Sequence, residues 1–134
     1  MRHILTFIFA SLVVATTMSC GGETLAEIEA RAGQTAVAYY RHLQEERFTD
    51  FVAGMDGADS LPDGYRKQME DNAAMFLKQQ NEAHNGIHDI TLQKCTADTA
   101  SKTAEALLNI HYTDSTTELV CVPLVCRDGT WMMK

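Results

Sequence analysis

Basic residues are scarce in this chain: 11 Lys and Arg stand against 18 Asp and Glu, for a net charge of −7. No cluster of Lys and Arg exists that could neutralise a row of phosphates, so nucleic acid is not an expected partner. Anionic lipid headgroups find no basic patch either, so any attachment to a bilayer has to come from acyl chains. There are only two prolines and eight glycines, with no low-complexity run and no internal repeat. Gly-x-Ser-x-Gly, a phosphate-cradling glycine loop and Cys-x-x-Cys are all absent, which removes the common hydrolase, nucleotide-binding and redox signatures. The apolar run at residues 4–15 is too short to cross the hydrocarbon core of a bilayer, which takes about 20 residues of helix.

That short run nevertheless carries the clearest signal in the chain. Arg2 supplies a positive start, residues 4–15 have the length of a signal-peptide apolar segment, and Thr17, Met18 and Ser19 lead into Cys20. A cysteine placed there, after small residues, resembles the lipobox of bacterial lipoproteins, with Thr17 where Leu is usual. The resemblance implies that residues 1–19 are removed and that Cys20 carries acyl chains such as palmitate. Residues 20–23 would then tether one domain, 24–134, to the bacterial cell envelope, at the outer membrane or the periplasmic face of a membrane. Ordinary secretion and an uncleaved anchor are the alternatives. Loss of residues 1–19 removes Arg2 alone among the charges, leaving 10 basic and 18 acidic residues, a net of −8.

The first part of the remaining chain has helical periodicity. Thr24 and Glu27 form a capping-box pattern, and Leu25, Ile28, Ala32, Ala36, Tyr39 and Leu43 recur at three- and four-residue steps. A second, short helix is expected over residues 48–55, with Phe48, Phe51, Val52 and Met55 inward and Gly54 and Gly57 ending it. Ser60 and Pro62 are expected to open a third helix, with Tyr65, Met69, Ala73, Phe76 and Gln80 on its inner face and Asn85-Gly86 at its close.

From Ile87 the period changes to two. Strands are expected over 87–95, 103–112, 118–126 and 130–133, with Asp128-Gly129 as a two-residue hairpin turn. That turn pairs Cys126 with Trp131 and Leu124 with Met133, and places all four on one face with Val120 and Val122. The expected fold class is therefore α+β: three N-terminal helices packed on one side of a curved four-stranded antiparallel sheet. The opposite face is half apolar. Leu107, Leu119, Cys121, Val125 and Met132 lie there among Glu105, Asn109, His111 and Arg127, a candidate face for a homodimer. Cys121 and Cys126 point to opposite faces and cannot bridge each other. The three thiols Cys95, Cys121 and Cys126 read as buried apolar residues, with a disulfide from Cys95 to either of the others as the alternative.

Taken together, Tyr39-Tyr40, Phe48, Met55, Tyr65-Arg66 with Gln68, Gly86-Ile87, Glu118, Pro123-Leu124-Val125 and Asp128-Gly129 with Trp131 resemble small bacterial lipoproteins of a domain family of unknown function. Those proteins have the cystatin-like cone of the nuclear-transport-factor-2-like superfamily. The resemblance implies a bent sheet wrapped around helices, often with a pocket at the wide end, and brings no catalytic residues with it.

In such a cone Tyr39, Tyr40, Phe51, Tyr65, Tyr112 and Trp131 are candidate pocket-lining residues, with core packing the alternative. The inward strand positions read as Ala, Leu, Ile, Val, Met and aromatics, so no catalytic carboxylate is expected to face the cavity. His84, His88 and Asp89 have metal-like spacing, but Gly86 interrupts it, and they read as solvated turn residues. Asp50, Asp56, Asp59 and Asp63 lack the EF-hand alternation and read as caps and turn formers. No metal and no cofactor are expected. The function expected is a lipid-anchored, non-catalytic binding or scaffolding module. Its partners would be the membrane through Cys20 and an envelope protein or small apolar ligand. An isomerase- or hydrolase-type enzyme acting on an apolar ligand is the rival.

Overall fold

A computed structural model describes residues 22–134. The leader, Cys20 and Gly21 lie outside the described residues. Helix α1 (Leu25–Gln44) starts on the expected capping box: the Thr24 hydroxyl accepts from the Glu27 amide at 3.2 Å, and the Glu27 carboxylate accepts from the Thr24 amide at 3.0 Å. Its buried stripe is built from small residues, Ala32, Gly33 and Ala36, followed by Val37 and Leu43. Small side chains let the helix axis approach the sheet closely. At Gly33 an added Cβ would press into both methyls of Leu92 on the sheet. Leu25, expected on the stripe, is exposed.

Helix α2 (Phe48–Ala53) ends at Gly54, and a single 3₁₀ turn (Ala58–Ser60) follows. Ser60 therefore closes that turn instead of capping the next helix. Helix α3 (Asp63–His84) starts from Pro62, with no side-chain cap, and stops where Asn85 and Gly86 both take positive φ. Only Ala73 and Leu77 of α3 are buried.

The sheet is an antiparallel meander in the order β1-β2-β3-β4. Its strands are β1 (Ile87–Asp98), β2 (Thr103–Tyr112), β3 (Thr117–Arg127) and β4 (Thr130–Met133). The first runs three residues beyond its expected end and carries two register shifts, at Ile87/Asp89 and Leu92/Lys94, which bend it. Asp128 (φ 50°) and Gly129 (φ 80°) make the hairpin turn, and Cys126 pairs with Trp131 and Leu124 with Met133 as the turn dictates. The core lies between α1 and the inner sheet face, where Ile90, Leu108, Ile110, Leu124, Val37 and Val52 are fully buried. Each such side chain contributes roughly 1.5–3 kcal/mol of burial.

Residues of the helices and of the turn after α2 bond to backbone groups on two sheet edges. Along β1, Arg41 and Gln44 donate to the carbonyls of Ile90, Ile87 and His88, while the Glu29 carboxylate accepts from the Ala97 amide. Along β4, the Tyr39 hydroxyl donates to the Trp131 carbonyl at 2.6 Å. The Met133 amide donates to Gly54 and the Met133 carbonyl accepts from Asp56. Gly54 sits under the Tyr39 ring, and any Cβ there would collide with it.

Candidate functional site: an apolar cleft and its polar rim

The three helices do not close completely. Tyr40 and Leu43 of α1, Phe51 of α2, Met55, and Met69, Asn72, Ala73 and Phe76 of α3 line a cleft of about 370 Å³. Tyr40 and Phe51 meet edge to face, with centroids 5.7 Å apart. Tyr40, Met55, Met69 and Phe76 are half-buried, so apolar surface is presented to an opening. Ala73 keeps the floor low, and the flexible thioethers of Met55 and Met69 can reshape the walls. The polar groups are few: the Asn72 amide, which accepts from Gln68, and the Tyr40 phenol. Burial holds the Tyr40 phenol above the ordinary tyrosine range, with Glu118 and Cys121 adding to the effect.

Of the six aromatic residues named from sequence, Tyr40 and Phe51 line this cleft. Tyr39 seals the β4 edge. Tyr65 is 57% exposed and stands outside the cleft lining. Trp131 is buried over the opposite end of the sheet, near Ile28, Arg31 and Cys126, with its indole nitrogen lacking a hydrogen-bond partner. Tyr112 is buried at the far end of β2.

Tyr112 anchors a polar cluster there. Its hydroxyl lies 2.5 Å from the Glu118 carboxylate and 3.1 Å from the side-chain oxygen of Gln80. Burial, reinforced by Glu118, pushes the phenol far up, so it stays protonated and donates to the carboxylate. His84 stacks on the Tyr112 ring at 4.3 Å, and its Nδ1 lies 2.9 Å from Asp114 and 3.2 Å from the Thr116 hydroxyl. Bonds from the Thr116 hydroxyl and amide, then from His84, hold the Asp114 carboxyl down at about 2.

Glu118 corrects the sequence reading. It pairs with Ile110, on the inward face that was expected to carry only apolar residues and aromatics. The signal was available: Glu118 has the parity of Val120 and Val122, but it stands at a strand start, where a carboxylate is read as solvated. His84 and His88 do not converge. Among the described residues no group of three or more His, Cys, Asp and Glu side chains is arranged to hold a metal. Three of the four loop aspartates are ion-paired, Asp50 with Arg47, Asp56 with Arg127 and Asp63 with Arg66.

The three described thiols are free. Cys95 is half-buried, and burial together with Glu29 pushes its thiol up, away from thiolate chemistry. Cys121, expected to be buried, is exposed, because among the described residues no element covers the outer sheet face. On that face Leu119 is exposed and Leu107 and Met132 are half-buried, whereas Val125 is buried between Thr103 and Met132 in the ladder.

No protein-family model and no curated protein matches the chain. Among solved structures, a protein of Campylobacter jejuni provisionally named an NTF2-like transpeptidase is similar. The match covers 75% of this chain and 94% of that one, at 14% identity and a TM-score of 0.60. At that identity the likeness speaks for the backbone alone: this chain has the NTF2-like fold.

Proposed function

We propose that this protein is a lipid-anchored binding module of the bacterial cell envelope, holding an apolar ligand or an apolar segment of an envelope protein between its helices. The observation that carries the reading is the cleft itself, with half-buried Tyr40, Met55, Met69 and Phe76 facing an opening and two neutral polar groups to orient what enters. Acylation of Cys20 would hold the start of α1 close to a membrane, because at about 3.4 Å per extended residue the short tether reaches roughly 15 Å.

Binding is favoured over catalysis by the chemistry of the lining. It contains no Ser, Thr or Cys to form a covalent intermediate and no carboxylate. Glu118 lies outside the lining and already accepts a hydrogen bond from the Tyr112 hydroxyl. The name transpeptidase belongs to the Campylobacter protein, and nothing in this cleft reproduces an acyl-transfer site.

The uncharged dye Nile red tests the cleft. Uptake should be saturable and about tenfold weaker in Phe76→Glu, while Leu119→Glu on the outer face should bind as the parent does. Equal uptake by both variants would remove the reading. Address is tested separately: Cys20→Ala should move the protein from the membrane to the soluble fraction, and unchanged retention counts against acylation.

A further inference from the structure

Strand β3 is longer than the strand that covers it. Only residues 124–127 pair with β4, and Lys134 donates to the Pro123 carbonyl just beyond. The alternation of ladder bonds can be followed down the strand. The Tyr112 amide donates to Thr116, so residues 118, 120 and 122 bond towards β2, while 117, 119 and 121 turn their N–H and C=O groups the other way. Among the described residues nothing bonds to the outward groups of Leu119 and Cys121. Pro123 shares that parity, which explains how a proline sits inside a long strand: its missing N–H would have faced the open side.

Elsewhere on the sheet edges several backbone groups have partners from the helices and their ends: the Ile87, His88 and Ile90 carbonyls and the Ala97 amide of β1, and the Trp131 carbonyl and the Met133 amide and carbonyl of β4. An uncapped edge is a template for another strand. It also carries side-chain instructions. Glu118, on the inward face, has no cationic partner among the described residues, and Val120 follows it on the same face. Through the Tyr112 hydroxyl Glu118 is joined to Gln80, one turn along α3 from the cleft residue Phe76, so the edge and the cleft mouth are neighbours.

We infer that residues 117–121 of β3 are a docking edge for an extended peptide segment with a basic residue flanked by apolar ones, which adds as a fifth strand. Its outward amides pair with Leu119 and Cys121. Its inward side chains set a Lys or Arg beside Glu118 and apolar groups over Val120 and the cleft mouth. The inference deepens the binding-module reading and rests on it only for the apolar inward contacts; the backbone pairing stands apart.

The probe is a capped Thr-Leu-Thr-Lys-Thr-Leu-Thr heptapeptide added to the full-length chain in neutral detergent, followed by hydrogen–deuterium exchange. The outward amides of Leu119 and Cys121 should exchange about tenfold more slowly, and the same peptide N-methylated on alternate amides should bind about tenfold more weakly. Leu119→Pro removes an N–H that no ladder bond uses, so it should abolish the protection while leaving Nile red uptake unchanged. The methylated peptide decides the matter even if that variant folds poorly. Equal binding of the methylated peptide overturns the inference, as does an edge left unprotected while Nile red still binds, in which case the cleft reading survives alone. Protection at the edge without Nile red uptake supports the edge and removes the cleft reading. An edge already protected in peptide-free protein that sediments as a dimer makes a second copy the occupant and overturns the peptide.

Discussion

Leu119 and Leu124 lie five residues apart in one strand and have opposite fates. Leu124 is wholly buried, held between β2 and β4 on the inner face; Leu119 is 53% exposed on an outer face that no element among the described residues covers. Both were legible as strand residues. What separates them is the side of the sheet each faces and the reach of β4, four residues long against the eleven of β3. The closed end is packed against β2 and β4, and the open end carries Glu118 and the outward backbone groups of Leu119 and Cys121, where the proposed docking would fall.

The contrast can be broken hardest at its closed end. Leu124→Ala should cost about 3 kcal/mol in denaturant unfolding, whereas Leu119→Ala should stay within about 0.5 kcal/mol of the parent. Equal losses would mean that the outer face is covered in solution. Gly54→Ala forces the Tyr39 ring away from its seat and should cost about 1–3 kcal/mol, loosening the β4 edge first. Tyr39→Phe removes one hydrogen bond to the Trp131 carbonyl, for about 1 kcal/mol in the same assay.

The smallest effect is expected at the open end, from pH. The Asp114 carboxyl is held at about 2 in the fold against an ordinary 3.8, so its contribution is fully present above the ordinary value and fades as pH falls through about 2. The thermal midpoint of Asp114→Asn should therefore lie slightly below the parent's at pH 6 and converge with it near pH 2. A gap that persists at pH 2 would assign the loss to side-chain shape and not to charge.

Much of the architecture was readable before any coordinates. The capping box at Thr24, the switch of period at Ile87 and the Asp128-Gly129 turn are local signals, and each fixed an element or a register. The errors came where local chemistry was overridden by position. Ser60 looks like a helix cap, but the chain first spends it on a 3₁₀ turn. Tyr65 has the spacing of an inner-face residue, yet it is exposed. Glu118 shares the parity of Val120 and Val122, so its inward place was open to view, but a carboxylate at a strand start is read as solvated; its pairing with Ile110 settles the face. The cleft was half legible: Met69, Ala73 and Phe76 form a stripe in sequence, but the incomplete closure of three helices is a property of their spacing in space. Tyr39 and Tyr40 are adjacent letters with unrelated tasks, one sealing an edge and one lining the cleft, because neighbouring residues on a helix point about 100° apart.

Helix α1 begins near the hairpin turns, where Ile28 and Arg31 lie beside Asp128 and Gly129, and reaches the cleft only at Tyr40 and Leu43. Twenty residues of helix span about 30 Å. Were the chain moored by its front end, as proposed, the length of α1 would allow the cleft to lie up to about 30 Å farther from the bilayer than the mooring point.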